Sequence, residues 1–220
     1  MVPGSFNLLQ TILLYAIPLL FAITMHEVAH GWVAYAFGDP TAKMLGRLSL
    51  NPIRHIDPIG TILVPALMVY FSGFIFGWAK PVPVNWSNLH HQRRDVALVA
   101  LAGPGANFLM AIIWALIAKL ALVFGGDHSR ITQVLVTMSG IGIQVNIILM
   151  VLNLIPIPPL DGSRVISSFL PGRWAYELQK VEQFGFIILA VLLVTRVLNT
   201  IMLPCVNFMN HLILGMVGLT

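Results

Sequence analysis

The sequence predicts an all-α polytopic membrane protein with five to six transmembrane helices, a re-entrant segment and short membrane-associated β-strands. The chain is 58% hydrophobic and only 9% charged, with a mean hydropathy of +0.88, which lies outside the range of water-soluble domains. Apolar runs close to the roughly 20 residues that cross a bilayer occur at 7–25, 59–78, 96–124, 131–157 and 183–203. No separate soluble domain fits between them, so we expect a single integral membrane domain, residues 1–220.

The charges and the chain ends refine this class. Basic residues collect on the cytoplasmic side of membrane proteins, so the net charge of +4 is attributed to loop bias and not to nucleic acid binding. The first apolar run lacks a basic region before it and a small-residue cleavage site, so we expect it to be retained. Arg196 interrupts the last clear run, and 198–219 is a possible sixth segment kinked at Pro204. The side of the membrane on which the chain ends is left open.

The first apolar run is followed by ionisable side chains in the pattern H-E-x-x-H, formed by His26, Glu27 and His30. On a helix, positions i and i+4 lie on the same face, so both histidines can reach one metal ion. Glu27 is rotated by about 100°, beside the metal, where it can accept a proton from the attacking water. Ionisable groups at membrane depth are functional candidates by default. The alternative is two buried histidines bonded to backbone, with Glu27 neutral or reaching outward.

A third metal ligand is expected, because catalytic zinc usually takes three protein ligands and leaves one position for water. Asp161 is the best candidate. It lies in the stretch NLIPIPPLDGSR, residues 153–164, where three prolines prevent a regular helix and Gly162 allows an unusual turn. Irregular backbone at membrane depth is tolerated only when it is buried in protein or lines a cavity. The alternative is an aspartate that caps the next helix.

Charge bias in the loops predicts the topology. The loops at 37–58, 79–95 and 158–182 each carry three Lys or Arg, whereas the N-terminal tail carries none, which places these loops in the cytoplasm. If 59–78 crossed the bilayer, Asp161 would lie on the side opposite the histidines. We therefore predict that 59–78 enters the membrane and returns on the same side, which places the metal site toward the cytoplasmic face.

These motifs resemble those of the site-2 protease family of intramembrane zinc metalloproteases. The resemblance rests on H-E-x-x-H together with N-x-x-P-x-x-x-x-D-G, here Asn153 to Gly162, and on the stretch LAGPGANFL at 101–109. Further stretches at 46–61 and 77–85 are similar to the compact bacterial branch, so the resemblance covers residues 20–170. The chain has no room for the PDZ or CBS domain of larger members.

The resemblance implies a role for each motif residue. His26, His30 and Asp161 are the expected ligands of one zinc ion, Glu27 is the expected general base, and Asn153 is expected to help hold the substrate backbone. It also implies a catalytic core at about 7–170, followed by C-terminal helices at about 177–219.

The expected function is that of a zinc-dependent intramembrane endopeptidase in the cell membrane. Its substrates would be single-span membrane proteins or peptides, such as anti-sigma factors or leftover signal peptides. A catalytically silent homologue that only binds membrane helices remains an alternative, as does a metal transporter. The transporter is less favoured because the chain has no internal repeat and no series of ligands along a path.

Several residues near the motifs have weaker interpretations. The stretches 43–51 and 80–85 suit short edge strands to which an unwound substrate could add, or ordinary loops. Asn107 and Asn146 are interpreted first as hydrogen bonds between helices. His55 could donate to a developing oxyanion, but it lies in a loop near Asp57 and is interpreted as a surface pair outside the site.

Overall fold

A computed structural model describes residues 6–63, 80–126 and 129–219 of the chain. Within these ranges every regular element is helical, which confirms the all-α class. The described helices are α1 (Leu8–Ala36), α2 (Thr41–Met44), α3 (Gln92–Phe124), α4 (Arg130–Leu154), α5 (Asp161–Phe169), α6 (Gly172–Glu182), α7 (Gly185–Val194) and α8 (Val197–Val217). Short 3₁₀ turns at Pro52–His55 and Trp86–Asn88 and a π-helical turn at Pro58–Leu63 complete them.

Four of the described helices, α1, α3, α4 and α8, are long and apolar enough to cross a membrane. They confirm a membrane protein. The expected span at 183–203 is not one helix, because the chain breaks between α7 and α8 at Arg196, whose φ is +61°. Just before the break, the Thr195 hydroxyl donates to the Val191 carbonyl at 2.7 Å, a bond that competes with the helical ladder and bends helices. The possible sixth segment at 198–219 corresponds to α8.

The ends of α1 are fixed by local contacts. At its start, the Asn7 side chain accepts from the Gln10 N–H at 2.8 Å, and the Gln10 side chain accepts from the Asn7 N–H at 3.1 Å. This reciprocal capping box satisfies two otherwise free donors. After its end, Gly38 has a φ of +107° and faces the His90 ring, which a Cβ at Gly38 would approach to 2.5 Å. The turn after α1 therefore requires glycine.

The core lies between α3, α4 and α8. Trp114 of α3 packs against Gly142 of α4, where a Cβ would come within 2.5 Å of the indole ring. Small residues at such positions allow membrane helices to approach closely. Helix α1 then packs on both α3 and α4, and the short α5 packs on α3. This arrangement brings the middle of α1, the first half of α3 and the start of α5 to one place.

The expected strands at 43–51 and 80–85 are not confirmed, because no β-strand occurs in the described part of the chain. Residues 43–51 contain the end of α2 and then a turn. Residues 80–85 form no regular element, and Pro81 and Pro83 have no N–H to donate to a partner strand. The Lys80 N–H donates instead to the His55 carbonyl at 3.0 Å, and the Asn85 N–H to Asp39 at 2.7 Å.

The prediction that 59–78 enters and returns cannot be compared with the fold over most of its length. Residues 64–79 lie outside the described residues, and only the turn at Pro58–Leu63 precedes them. The re-entrant segment therefore stays a prediction.

Candidate metal centre

Helix α1 presents His26 and His30 on one buried face, as the spacing predicts. Their Nε2 atoms lie 3.0 Å apart, and each lies 3.2 Å from Oδ2 of Asp161. Within the described ranges, these three side chains form the group of His, Cys, Asp or Glu residues whose ligand atoms lie close enough together to hold a metal ion. Residues separated by more than 130 positions in the sequence thus converge on one point.

The irregular segment after α4 delivers Asp161. Helix α4 ends at Leu154, and α5 begins at Asp161 itself. A Cβ on Gly162 would lie 2.3 Å from the Leu154 carbonyl oxygen and 2.6 Å from that of Ile155. Because glycine occupies this position, the start of α5 can lie directly against the end of α4. The capping alternative for Asp161 is not supported, since Leu160 is the N-cap and no side chain caps α5.

Gly103 of α3 forms the opposite wall of the group. A Cβ at this position would lie 2.3 Å from Nε2 of His30 and 2.7 Å from Nε2 of His26. Real Cβ atoms do not approach other atoms this closely. The absent side chain therefore leaves a space directly at the two nitrogens that would bind a metal.

Hydrogen bonds on the far side of each imidazole determine where its proton lies. Nδ1 of His26 lies 2.6 Å from Oδ1 of Asn107, and Nδ1 of His30 lies 2.7 Å from the Val99 carbonyl oxygen. Both partners are acceptors, so each neutral ring carries its proton on Nδ1 and directs the lone pair of Nε2 into the site.

The three converging atoms are consequently all electron-pair donors. Oδ2 of Asp161 is buried and has no hydrogen-bond partner within the described residues. Asp161 is a carboxylate at neutral pH, and a carboxylate oxygen accepts hydrogen bonds but does not donate them. Three such atoms at 3.0–3.2 Å repel one another unless a cation lies between them. The residues present therefore fit a metal ion.

Glu27 lies beside this group and not within it. Its side chain is half-buried, and Oε2 accepts a hydrogen bond from the Val82 N–H at 2.7 Å. Val82 stands between Pro81 and Pro83, so it supplies the single N–H of that tripeptide. Among the described contacts, Oε1 of Glu27 makes no hydrogen bond. Oε2 of Glu27 is thus held by the segment 80–85, and Oε1 is available to accept a proton.

The remaining candidates occupy less direct positions. The Asn153 side chain lies in the last turn of α4, and its Nδ2 donates to the Leu149 carbonyl at 3.0 Å, so its role toward a substrate stays a prediction. The interpretation of His55 as a surface residue is wrong. It is only 2% exposed, and its Nε2–H donates to the Ser49 carbonyl at 2.8 Å, because the loop folds back over it.

Sequence reasoning missed three contributors to the site. Gly103 was named only as part of the stretch at 101–109, Asn107 was interpreted as a bond between helices, and Val82 as part of a strand. The bond between Asn107 and Asn146 does exist, at 2.9 Å, but Asn107 also contacts His26. The stretch LAGPGANFL contained the signal, since a glycine and an asparagine four residues apart share one helix face.

Comparison with known proteins agrees with this geometry. Residues 14–195 match the family model described as "Peptidase family M50". "Putative zinc metalloprotease YwhC" of Bacillus subtilis is 41% identical over 192 residues, which are 87% of this chain and 84% of that protein. Proteins named "Putative zinc metalloprotease Rip2" are 32% identical in Mycolicibacterium smegmatis and 30% in Mycobacterium tuberculosis, over 82% of this chain and 66% of each relative. No solved structure matches the chain significantly.

Proposed function

Because the chain belongs to peptidase family M50, the site-2 protease family, and is a metalloendopeptidase, we propose that it hydrolyses peptide bonds in or near transmembrane segments. Its substrates under this proposal are single-span membrane proteins or peptides, and its cofactor is one zinc ion. Membrane-tethered regulators such as anti-sigma factors and leftover signal peptides are the substrate classes that the family suggests. The cell membrane is the proposed location.

The observation that carries the zinc proposal is the triangle of His26, His30 and Asp161. Four-coordinate zinc binds nitrogen and oxygen at about 2.0–2.2 Å, which separates the ligands by about 3.3–3.5 Å. The separations of 3.0–3.2 Å in this group are close to that value. Two imidazoles and one carboxylate are a common donor set for catalytic zinc and leave a fourth position for water. When bound, zinc polarises a substrate carbonyl and lowers the pKa of water to about 7.

Glu27 is proposed as the general base. The bond from the Val82 N–H holds Oε2, so the carboxylate is fixed in direction while Oε1 can take a proton from the attacking water. After the carbonyl has been attacked, the same carboxyl group can give that proton to the leaving amine. Glu27 is only half-buried, which leaves it a path to water.

A substrate helix must be unwound before its peptide bonds are accessible, because helical hydrogen bonds cover them. We propose that the unwound substrate lies beside the segment 80–85, which contacts Glu27 through Val82. Asn153 is proposed to bind the substrate backbone. Its Nδ2 donates to the Leu149 carbonyl, and its Oδ1, which has no hydrogen bond among the described contacts, is suited to accept a substrate N–H.

The orientation of the site toward the cytoplasm is also a proposal. His26 lies 19 residues after Asn7, or about 28 Å along the helix, so it is near the far end of the first span. Asp161 follows the end of α4 and lies in the basic loop 158–182, and the basic loop 37–58 follows α1. Both loops favour the cytoplasmic side. A site near that face would receive water from the cytoplasm.

The test is cleavage of a model single-span substrate by purified protein in detergent, with zinc content measured in the same samples. Wild type is compared with Glu27→Gln, which keeps an acceptor for the Val82 N–H, and with Asp161→Ala. We expect Glu27→Gln to hold zinc but to lose cleavage by at least about 100-fold, the scale of general base catalysis. Asp161→Ala should lose zinc. Cleavage by Glu27→Gln at the wild-type rate would refute the role of Glu27, and a full complement of zinc in Asp161→Ala would refute that ligand.

A further inference from the structure

Two buried amides lie behind the face of α1 that carries His26 and His30, and they connect His26 to helices α3 and α4. We infer that Asn107 is a positioning residue for the metal site, which fixes the tautomer and direction of His26, and that Asn146 fixes Asn107 in turn. This inference rests on the proposed function, in which His26 binds zinc through Nε2. Asn107 and Asn146 are both 0% exposed, so water cannot replace either partner.

The contacts run from the Gly142 carbonyl through Asn146 and Asn107 to His26, and the carbonyl determines which atom donates in each bond. Nδ2 of Asn146 donates to the Gly142 carbonyl at 2.8 Å. A backbone carbonyl can only accept, so the opposite atom of the Asn146 amide, Oδ1, must face Asn107. That oxygen accepts from Nδ2 of Asn107 at 2.9 Å.

A second carbonyl fixes Asn107 independently. Its Nδ2 also donates to the Ala22 carbonyl of α1 at 3.2 Å. Rotating the Asn107 amide by 180° would turn an oxygen toward two acceptors and lose both bonds. A buried polar group left without a partner is costly, so the rotated amide is strongly disfavoured. Oδ1 of Asn107 therefore faces His26.

His26 has one tautomer that satisfies this oxygen. Nδ1 lies 2.6 Å from Oδ1 of Asn107, so it must carry the proton, and Nε2 must present its lone pair to the site. Partners of this kind orient metal-binding histidines, and their loss typically reduces metal affinity by about 10–100-fold. His30 has the backbone carbonyl of Val99 in the same position, and no side-chain substitution removes a backbone carbonyl. The partner of His26 is the Asn107 side chain, so a substitution can remove it.

A purely structural role for the two amides predicts a different outcome. As a simple bond between helices, the Asn107–Asn146 pair would contribute modestly to stability, and its loss would not change the affinity for metal. Asn210 provides a control for the loss of an amide bond between helices. Its Nδ2 donates to the side chain of Gln144 at 3.1 Å on the exposed surface, so it also joins α8 to α4 through two amides, but neither amide contacts a histidine among the described contacts.

The first experiment uses the wild-type protein without metal. Histidine is labelled with ¹⁵N, and the His26 signals are identified by their loss in His26→Ala. We expect a proton on Nδ1, whether or not Nε2 also carries one in the absence of metal. An Nδ1 without a proton would overturn the inference. Since the measurement needs no zinc, it remains informative if wild type fails to bind zinc, the result that would contradict the proposed function instead.

The second experiment measures zinc affinity by competition with a chelator, and the absorption spectrum with Co²⁺ in place of zinc. We expect Asn107→Leu to weaken zinc binding by about 10–100-fold and to change the Co²⁺ spectrum. Asn146→Leu should have a smaller effect in the same direction, because Asn107 keeps the Ala22 carbonyl. Asn210→Leu should match wild type. Wild-type affinity and an unchanged spectrum in Asn107→Leu would refute the assignment.

Discussion

The substitution Gly103→Ala tests the metal centre through one added methyl group. Its Cβ would lie 2.3 Å from Nε2 of His30 and 2.7 Å from Nε2 of His26, whereas real contacts do not fall below 3.0 Å. Either the rings or the backbone of α3 must therefore move by at least about 0.7 Å. Metal–ligand distances tolerate deviations of only about 0.2 Å, so zinc binding should fall by at least about 100-fold, beyond the usual effect of an outer partner.

Folding should survive this change. Overpacking a close contact lowers the free energy of unfolding by about 1–3 kcal/mol, and replacing glycine by alanine within a helix raises it by up to about 1 kcal/mol. The net change in stability is therefore small, whereas the change in zinc affinity is large. The effect of the variant should therefore appear in metal content and cleavage before it appears in expression or helix content.

Gly105→Ala is the matched control, because it makes the same chemical change on the same helix at a position with nothing within 4 Å. Both variants are purified in detergent, their zinc is quantified by mass spectrometry, and their cleavage of a single-span substrate is compared. We expect Gly105→Ala to behave as wild type. If Gly103→Ala holds as much zinc as Gly105→Ala, the reasoning that places the metal between Gly103 and the histidines is wrong.

Two further predictions concern the carboxylates that accept hydrogen bonds from the segment 80–85, which are Glu27 and Asp39. Val82→Pro removes the N–H that holds Glu27 and should lower cleavage at least about 10-fold while zinc is retained, whereas Val82→Ala keeps the N–H; equal activity of the two variants would contradict the contact. Burial raises the pKa of Asp39, but the bonds it accepts from Thr41, Asn88 and Asn85 lower it by more, so its pKa is depressed. Its stabilisation is therefore complete above the ordinary pKa of about 4 and is lost as pH falls further. Asp39→Asn should lower the melting temperature at pH 7, through a loss of about 1.5–3 kcal/mol, and the difference from wild type should shrink at pH 3; a constant difference would refute the assignment.

The chain class and the first two ligands could be predicted because they depend on local properties. Hydropathy follows from composition over about 20 residues, and the spacing of His26 and His30 fixes their common face within one helix. Asp161 could be predicted for a related reason, because the prolines before it and Gly162 after it prevent a regular helix through local effects alone. Membership of the M50 family agrees with these motifs.

The strand prediction failed because it depended on hydrogen bonds to distant partners. Residues 80–85 have the prolines and β-branched residues of an edge strand, but their N–H groups donate to Glu27, Asp39 and the His55 carbonyl. The pattern of residues along the segment does not determine these partners. The run at 183–203 is a different case, because Arg196, which interrupts it in the sequence, is also where its helix breaks.

The sequence by itself determined that this is a membrane protein of the site-2 protease family, and it identified His26, Glu27, His30 and Asp161 as the residues of interest. Only the tertiary structure decided what surrounds them. Whether Gly103 and Asn107 face the histidines depends on the rotation of α3 about its axis relative to α1. That rotation is set by close packing across several helices, and so it cannot be read from the periodicity of any one of them.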